Sequence, residues 1–214
     1  KMKSIVILLI ALLIGNQQLM AVQEHSTRKK VGLVLSGGGA KGTAHIGAIK
    51  VIEELGIPID YVVGTSMGSI IGGLYAIGYS AEQMDSIVRT QDWTYLLSDR
   101  TPRSDKNMSE REIDEKYVLS VPFSKISIKE VTGGLIKGQN IYNMFNQLTL
   151  GYHDSIDFNK LPIPYACVAE DIATGTEVVF HSGKLATAMR ASMAIPGVFT
   201  PVRLNNMVLV DGGT

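Results

Sequence analysis

Ile59-Asp60-Tyr61-Val62-Val63-Gly64-Thr65-Ser66-Met67-Gly68-Ser69-Ile70-Ile71 reads as a short buried strand, a turn carrying Gly-x-Ser-x-Gly, and the apolar start of a helix. That is the setting a nucleophile elbow requires. Tyr61, Val62 and Val63 favour the strand, and Gly64 and Gly68 let the helix start close to it. Ser66 then projects from a strained turn at the positive end of a helix dipole, where an alkoxide or oxyanion is favoured. Upstream, Val31 to Ser36 is a buried-strand pattern, and Gly37-Gly38-Gly39-Ala40-Lys41-Gly42 follows it. A helix comes next, with Ala44, Ala48, Val51, Ile52 and Leu55 expected on its buried face and Gly56 as its C-cap. The unit is βαβ, with glycine-rich loops at the carboxyl ends of two consecutive strands. Parallel sheets place ligands there.

The glycine loop admits two chemistries. Gly37-x-Gly39-x-x-Gly42 fits the dinucleotide fingerprint, but that site also needs an acidic residue at the end of the second strand. The second strand ends in Val62-Val63-Gly64, with Asp60 at its beginning, and Ala40 stands where a P-loop needs glycine before Lys41. The other chemistry is an oxyanion hole, in which consecutive glycine N–H groups converge on one oxygen. Downstream, Met67 to Ile77 continues as a helix ending at Gly78, and Ser80 to Gln83 resembles a capping box. Asp92 to Lys116 is polar and contains Pro102, which predicts a surface excursion or flap over the site. Tyr117 to Ile128 is strand-like, and Ile141, Met144, Phe145 and Leu148 mark the core face of a helix. Strands are expected at Pro164 to Ala169 and Glu177 to Phe180, around a turn at Asp171 to Gly175. A helix over Leu185 to Met193 ends before Pro196. Val202 to Leu204, an Asn205-Asn206 turn and Met207 to Val210 form a hairpin that delivers Asp211 at its carboxyl end, where Asp211 is either a functional carboxylate or the start of a turn.

A serine nucleophile needs a base within hydrogen-bond reach. Only His153 and His181 follow Ser66, and no histidine follows Asp211; His25 lies in the leader, and His45 reads as a packed or surface helix residue. The acid-then-histidine order of an α/β-hydrolase is therefore missing, and a Ser–Asp dyad is the economical arrangement.

Composition bounds the rest. The chain has 214 residues, 45% hydrophobic, enough for one domain with a sizeable core. Lys plus Arg and Asp plus Glu are both 20, which gives no hint of nucleic acid. One cysteine, Cys167, excludes a disulfide framework and a multi-cysteine zinc site. Residues 1–21, with a basic start, an apolar run and Leu19-Met20-Ala21, read as a signal peptide, and 22–30 as a linker before the domain at 31–214. Export to the periplasm, outer membrane or medium is the expectation.

Gly37 to Gly42, Gly64-Thr65-Ser66-Met67-Gly68 and Asp211-Gly212-Gly213, in this order, resemble the three motifs of patatin-like phospholipases. Ala191-Ser192-Met193-Ala194-Ile195-Pro196-Gly197-Val198-Phe199-Thr200-Pro201 is similar to the segment before that family's Asp-Gly motif. The resemblance implies a three-layer α/β/α fold with a mainly parallel central sheet and hydrolysis of lipid acyl esters, without metal or other cofactor. It implies Ser66 as nucleophile, Asp211 as base, and Gly37, Gly38 and Gly39 as oxyanion donors with the Met67 N–H as a possible addition. Lys41 occupies the family's basic position and would meet a lipid phosphate; Gly42, Gly64, Gly68, Gly212 and Gly213 support the motifs. Membrane lipid is the implied substrate. Because the chain stops just after the third motif, a longer protein is expected, and exported bacterial members can carry a C-terminal outer-membrane barrel. The rival functions are a nucleotide-binding α/β domain and an inactive passenger that binds lipid or a partner protein.

Overall fold

A computed structural model describes residues 28–100 and 136–213. The signal peptide, most of the linker, residues 101–116 of the expected flap and the strand-like stretch 117–128 lie outside the described residues. The folded body begins at Val31.

The βαβ unit is present. Strand β1 is Gly32–Leu35, a 3-10 turn spans Gly39–Thr43, helix α1 is Ala44–Glu54, and β2 is Tyr61–Thr65. Gly56 closes α1 at φ 63°, with the Ile57 N–H donating to Ile52 O and the Gly56 N–H to Glu53 O. This is a Schellman closure, which satisfies carbonyls that the helix end leaves free. The expected core face of α1 is not the buried one. Ile46 and Ile49 are buried, whereas Val51 and Leu55 are 53% and 68% exposed. The two stripes lie on opposite sides of the helix at its 3.6-residue period. Glu53, on the same side as Ile46 and Ile49, accepts the Ala81 N–H and ties that side to the next helices.

Helix α2 is Met67–Ala76 and α3 is Ala81–Thr90. Both bonds of the predicted capping box are made at the start of α3, Gln83 N–H to Ser80 Oγ and Ser80 N–H to Gln83 Oε1. Residues 92–100 depart from the expected surface excursion. Asp92 accepts the Tyr95 N–H and starts a short helix α4, Trp93–Leu96, and the Trp93 indole N–H donates to Val88 O at 2.8 Å. Helix α5 is Gln139–Leu148, with Ile141, Met144 and Phe145 buried as its pattern predicts. Then come β3 (Ile156–Asp157), β4 (Tyr165–Asp171), β5 (Thr176–Phe180), β6 (Ser182–Gly183), α6 (Leu185–Ser192), β7 (Val202–Leu204) and β8 (Met207–Asp211).

Strands β1, β2 and β4 run parallel, with helices packed against them; β8 and β5, each antiparallel to β4, and β7, antiparallel to β8, extend them into a six-stranded sheet. The α/β class is the expected one. The register on β4 decides the site. Val168 pairs with Thr65 of β2 and with Val179 of β5, and Ala169 pairs with Asp211 of β8 and with Val178 of β5. Strand β5 therefore occupies one edge of β4, while β2 and β8 share the other, running toward each other and meeting between Val168 and Ala169. The Asn205-Asn206 turn has φ 49° and 64°, the left-handed pair that suits a tight hairpin, and it reverses the chain into β8. Asp171 pins β8 in place: its carboxylate accepts the Val208 N–H at 3.0 Å, the Thr174 hydroxyl and the Ala173 N–H.

Candidate active site

Ser66 follows the last residue of β2 and caps α2 with φ 54° and ψ −123°. A non-glycine residue here costs on the order of 1–3 kcal/mol and persists only where its surroundings hold it. The surroundings are explicit. The Ser66 N–H donates to Ser192 Oγ at 2.8 Å, and that hydroxyl donates to Val168 O at 2.5 Å. Ser66 O accepts the Ser69 N–H and Ser69 Oγ–H, and Ser69 O in turn accepts the hydroxyl of the fully buried Tyr165. The elbow is therefore fixed to β4 and α6 as well as to its own strand and helix.

Gly64 and Gly68 make this approach possible. A Cβ on Gly64 would lie 2.3 Å from Gly68 O, and one on Gly68 would lie 2.2 Å from Leu35 O and 2.6 Å from Ser36 O. No side chain fits either gap, so the first turn of α2 rests directly on β1 and β2.

The glycine loop lies beside the serine. A Cβ built on Gly37 would stand 3.3 Å from Ser66 Cβ and 3.9 Å from its Oγ. Gly38 and Gly39 have φ 150° and 53°, and Gly38 O accepts the Lys41 N–H. Among the described residues, no backbone carbonyl receives the N–H of Gly37 or Gly38. Gly42 is buried against Met67, while Lys41 is exposed.

Asp211, 5% exposed, ends β8 on the same edge of β4 as Thr65. Its N–H donates to Ala194 O, and its Oδ1 accepts the Gly213 N–H at 2.8 Å. Gly212 packs on Val168 and Ala169, and a Cβ on Gly213 would lie 3.9 Å from Thr65 Cγ2. The structure thus brings the three glycine motifs together around one point.

A cavity of about 590 Å³ opens at Ser66, Gly39 and Met67. Its walls are almost wholly apolar, with Ile70, Met84, Trp93, Phe145 and Leu148 supplied by α2, α3, α4 and α5. The volume is in the range of small-molecule sites. The helix face predicted as plain core, from Ile141 to Leu148, also lines this space. Beneath the elbow, burial pushes the Cys167 thiol up to about 11, opposed by its hydrogen bond with Ser192 and helped by the charge of Asp211. Burial likewise raises the Tyr165 phenol. Both stay neutral at physiological pH.

The described histidines, His45, His153 and His181, are placed elsewhere or engaged. His181 Nδ1 meets the Tyr61 hydroxyl at 3.4 Å, at the far end of β2, four residues or about 13 Å from Thr65 by strand rise. The exposed His153 bonds Leu150 O, and His45 Nε2 bonds Ser36 O at 2.9 Å. Asp60, the only acid on the elbow strand's approach, accepts the Val31 N–H at 2.7 Å and does not reach the carboxyl end of β2. Among the described residues, no group of three or more His, Cys, Asp or Glu is placed to hold a metal ion. Two residues had no role in the sequence analysis, Ser192 and His45. The signal for Ser192 was a hydroxyl inside the apolar run Ala191 to Ile195; for His45 no local pattern gave one.

Residues 33–214 match the family described as patatin-like phospholipase. An uncharacterized NTE family protein of Mycobacterium bovis is 32% identical over 88% of this chain and 44% of its own length. A patatin-like phospholipase domain-containing protein of Caenorhabditis elegans is 33% identical over 87% of this chain and 12% of its own. The chain thus spans less than half the length of these curated relatives. Among solved structures, VipD from Legionella pneumophila shares the fold at TM-score 0.55 and 18% identity, over 87% of this chain and 46% of that one.

Proposed function

We propose that this chain, which belongs to the patatin-like phospholipase family, is a serine acyl hydrolase acting on lipid esters through Ser66 and Asp211. One observation carries the proposal: β2 and β8 end head to head on the same edge of β4, with Thr65 opposite Val168 and Asp211 opposite Ala169. A serine and a carboxylate from strands far apart in sequence are thereby delivered to one place.

Ser66 Oγ attacks the ester carbonyl carbon while Asp211 takes the hydroxyl proton. The carbonyl oxygen becomes an oxyanion, held by N–H groups of Gly37, Gly38 and Gly39, with the Met67 N–H at the start of α2 as a further donor. Collapse breaks the C–O bond, the alcohol leaves with the proton from Asp211, and the acyl group remains on Ser66. Water, deprotonated by Asp211, then releases the carboxylic acid and restores the serine. A carboxylate is a weak base, so the low-dielectric floor and preorganised donors must supply much of the effect. The apolar cavity at Ser66 fits an acyl chain, and the exposed Lys41 is available to a phosphate head group at the surface. Residues 1–21 direct the chain out of the cytoplasm, which cell fractionation with and without them tests.

The deciding experiment is labelling of the full chain by a fluorophosphonate probe. Wild type labels, Ser66→Ala does not, and Asp211→Asn labels at least about a hundredfold more slowly. A folded wild type that fails to label, or labelling that survives Ser66→Ala, overturns the proposal.

A further inference from the structure

We infer that His45 is a positioning residue for the oxyanion site: its ring holds the Ser36–Gly37 peptide so that the Gly37 N–H faces the reaction centre. The inference rests on the hydrolase function proposed above. A loop of three glycines has no side chains with which to fix its own peptide planes, and glycine crosses readily between backbone regions. An oxyanion site fails if such a plane turns over, because a carbonyl oxygen then faces the developing negative charge. Something outside the loop must hold it.

His45 is placed to do so from the second residue of α1. Its Nε2 lies 2.9 Å from Ser36 O. A carbonyl only accepts, so Nε2 carries the proton and donates. The same carbonyl lies against the first turn of α2, where a Cβ on Gly68 would come within 2.6 Å of it. Ser36 O is therefore directed into the packed junction between α1 and α2. The described peptide bonds are all trans, and in a planar trans peptide the N–H points opposite to the C=O. The Gly37 N–H consequently points away from that junction, and no backbone carbonyl among the described residues receives it. Gly37 itself abuts the Ser66 side chain, at the 3.3 Å and 3.9 Å separations given above. The imidazole thus acts on the reacting oxygen through one peptide unit, without touching substrate.

Outright loss of an oxyanion donor costs about 10²–10³ in rate. Releasing the peptide, so that it samples both orientations, is expected to cost about tenfold to a hundredfold in kcat, a fraction of that figure. The experiment compares the full-length wild type, His45→Ala and His45→Gln on a short-chain p-nitrophenyl ester, with inhibition by an alkyl trifluoromethyl ketone, which forms a tetrahedral oxyanion on serine. His45→Ala lowers kcat with KM changed less than about twofold, and weakens the ketone by the same factor as kcat. His45→Gln, whose amide nitrogen can donate from a similar position, recovers most of both. If His45→Ala does not fold, His45→Asn, with its donor withdrawn by one carbon, takes its place. A folded His45→Ala with wild-type kcat and ketone affinity overturns the inference alone. So does an equal loss in His45→Gln and His45→Ala that follows a drop in melting temperature, which is the signature of a purely structural role. Absence of Ser66-dependent turnover in wild type overturns the hydrolase function, and this inference with it.

Discussion

Replacing Ser192 by alanine removes one fully buried oxygen, which accepts the Ser66 N–H at 2.8 Å, donates to Val168 O at 2.5 Å and also meets the Cys167 thiol. The Ser66 N–H is left in a 5% exposed residue without that acceptor, at a cost of about 1–3 kcal/mol. The elbow already holds strain at φ 54°, so relaxation follows the weakened anchor. If the whole cost appears as global instability, a chain of this size melts lower by roughly 3–10 °C. If Ser66 instead relaxes locally, restoring its reactive geometry takes the same 1–3 kcal/mol, a roughly 5- to 150-fold slower reaction. Melting temperature and the fluorophosphonate labelling rate, measured on the same samples, divide the cost between the two. Ser192→Cys, with a weaker acceptor and donor, falls between wild type and alanine. A Ser192→Ala protein that melts within about 1 °C of wild type and labels within twofold would refute the anchoring role, because the Ser66 N–H would then have another partner.

Three further outcomes test the packing and the sheet register. Gly68→Ala places a Cβ 2.2 Å from Leu35 O and is expected to cost more than about 3 kcal/mol or to prevent folding. Gly47→Ala, in the middle of α1 with nothing within 4 Å of its Cβ, gains about 0.5–1 kcal/mol; urea denaturation measures both, and a similar change at the two sites contradicts the close-packed elbow. Backbone hydrogen bonding from Val208, with the Thr174 hydroxyl and Ala173 N–H assisting, holds the Asp171 carboxyl below its ordinary range. Its folded pKa is depressed, so the unfolded chain takes up the proton first as pH falls. The stabilisation is therefore present at neutral pH and is lost as pH drops below about 4. Asp171→Asn flattens that part of the stability–pH curve, and an unchanged acid limb would show that Asp171 does not hold β8.

That Ser66 stands between a strand and a helix and that Asp211 ends a hairpin strand was legible in the sequence because those signals are local. A strand, a glycine turn and a helix are written in consecutive residues, as are the Ser80–Gln83 capping box, the Asn205-Asn206 hairpin and the Gly56 stop. What failed was orientation. The Ala44, Ala48, Val51, Ile52 and Leu55 stripe is apolar and regularly spaced, yet Ile46 and Ile49 are the buried residues of the helix, on the side where Glu53 meets Ala81 from another helix. The polar stretch at Asp92 began as folded structure for a similar reason: Trp93 reaches Val88 and lines the cavity. The partners of Ser192 and His45 were not legible, since each bonds a backbone group brought near only by folding.

By itself the sequence determined the βαβ unit, the main helices and the closing hairpin in their order, because propensity, capping and turn sterics act over a few neighbouring residues. The tertiary structure alone decided that Thr65 and Asp211 meet on one edge of β4, that Ser192 holds the Ser66 amide, and that His45 bonds the Ser36 carbonyl. Those pairings depend on strand register and helix packing, which are fixed by contacts between segments up to about 150 residues apart.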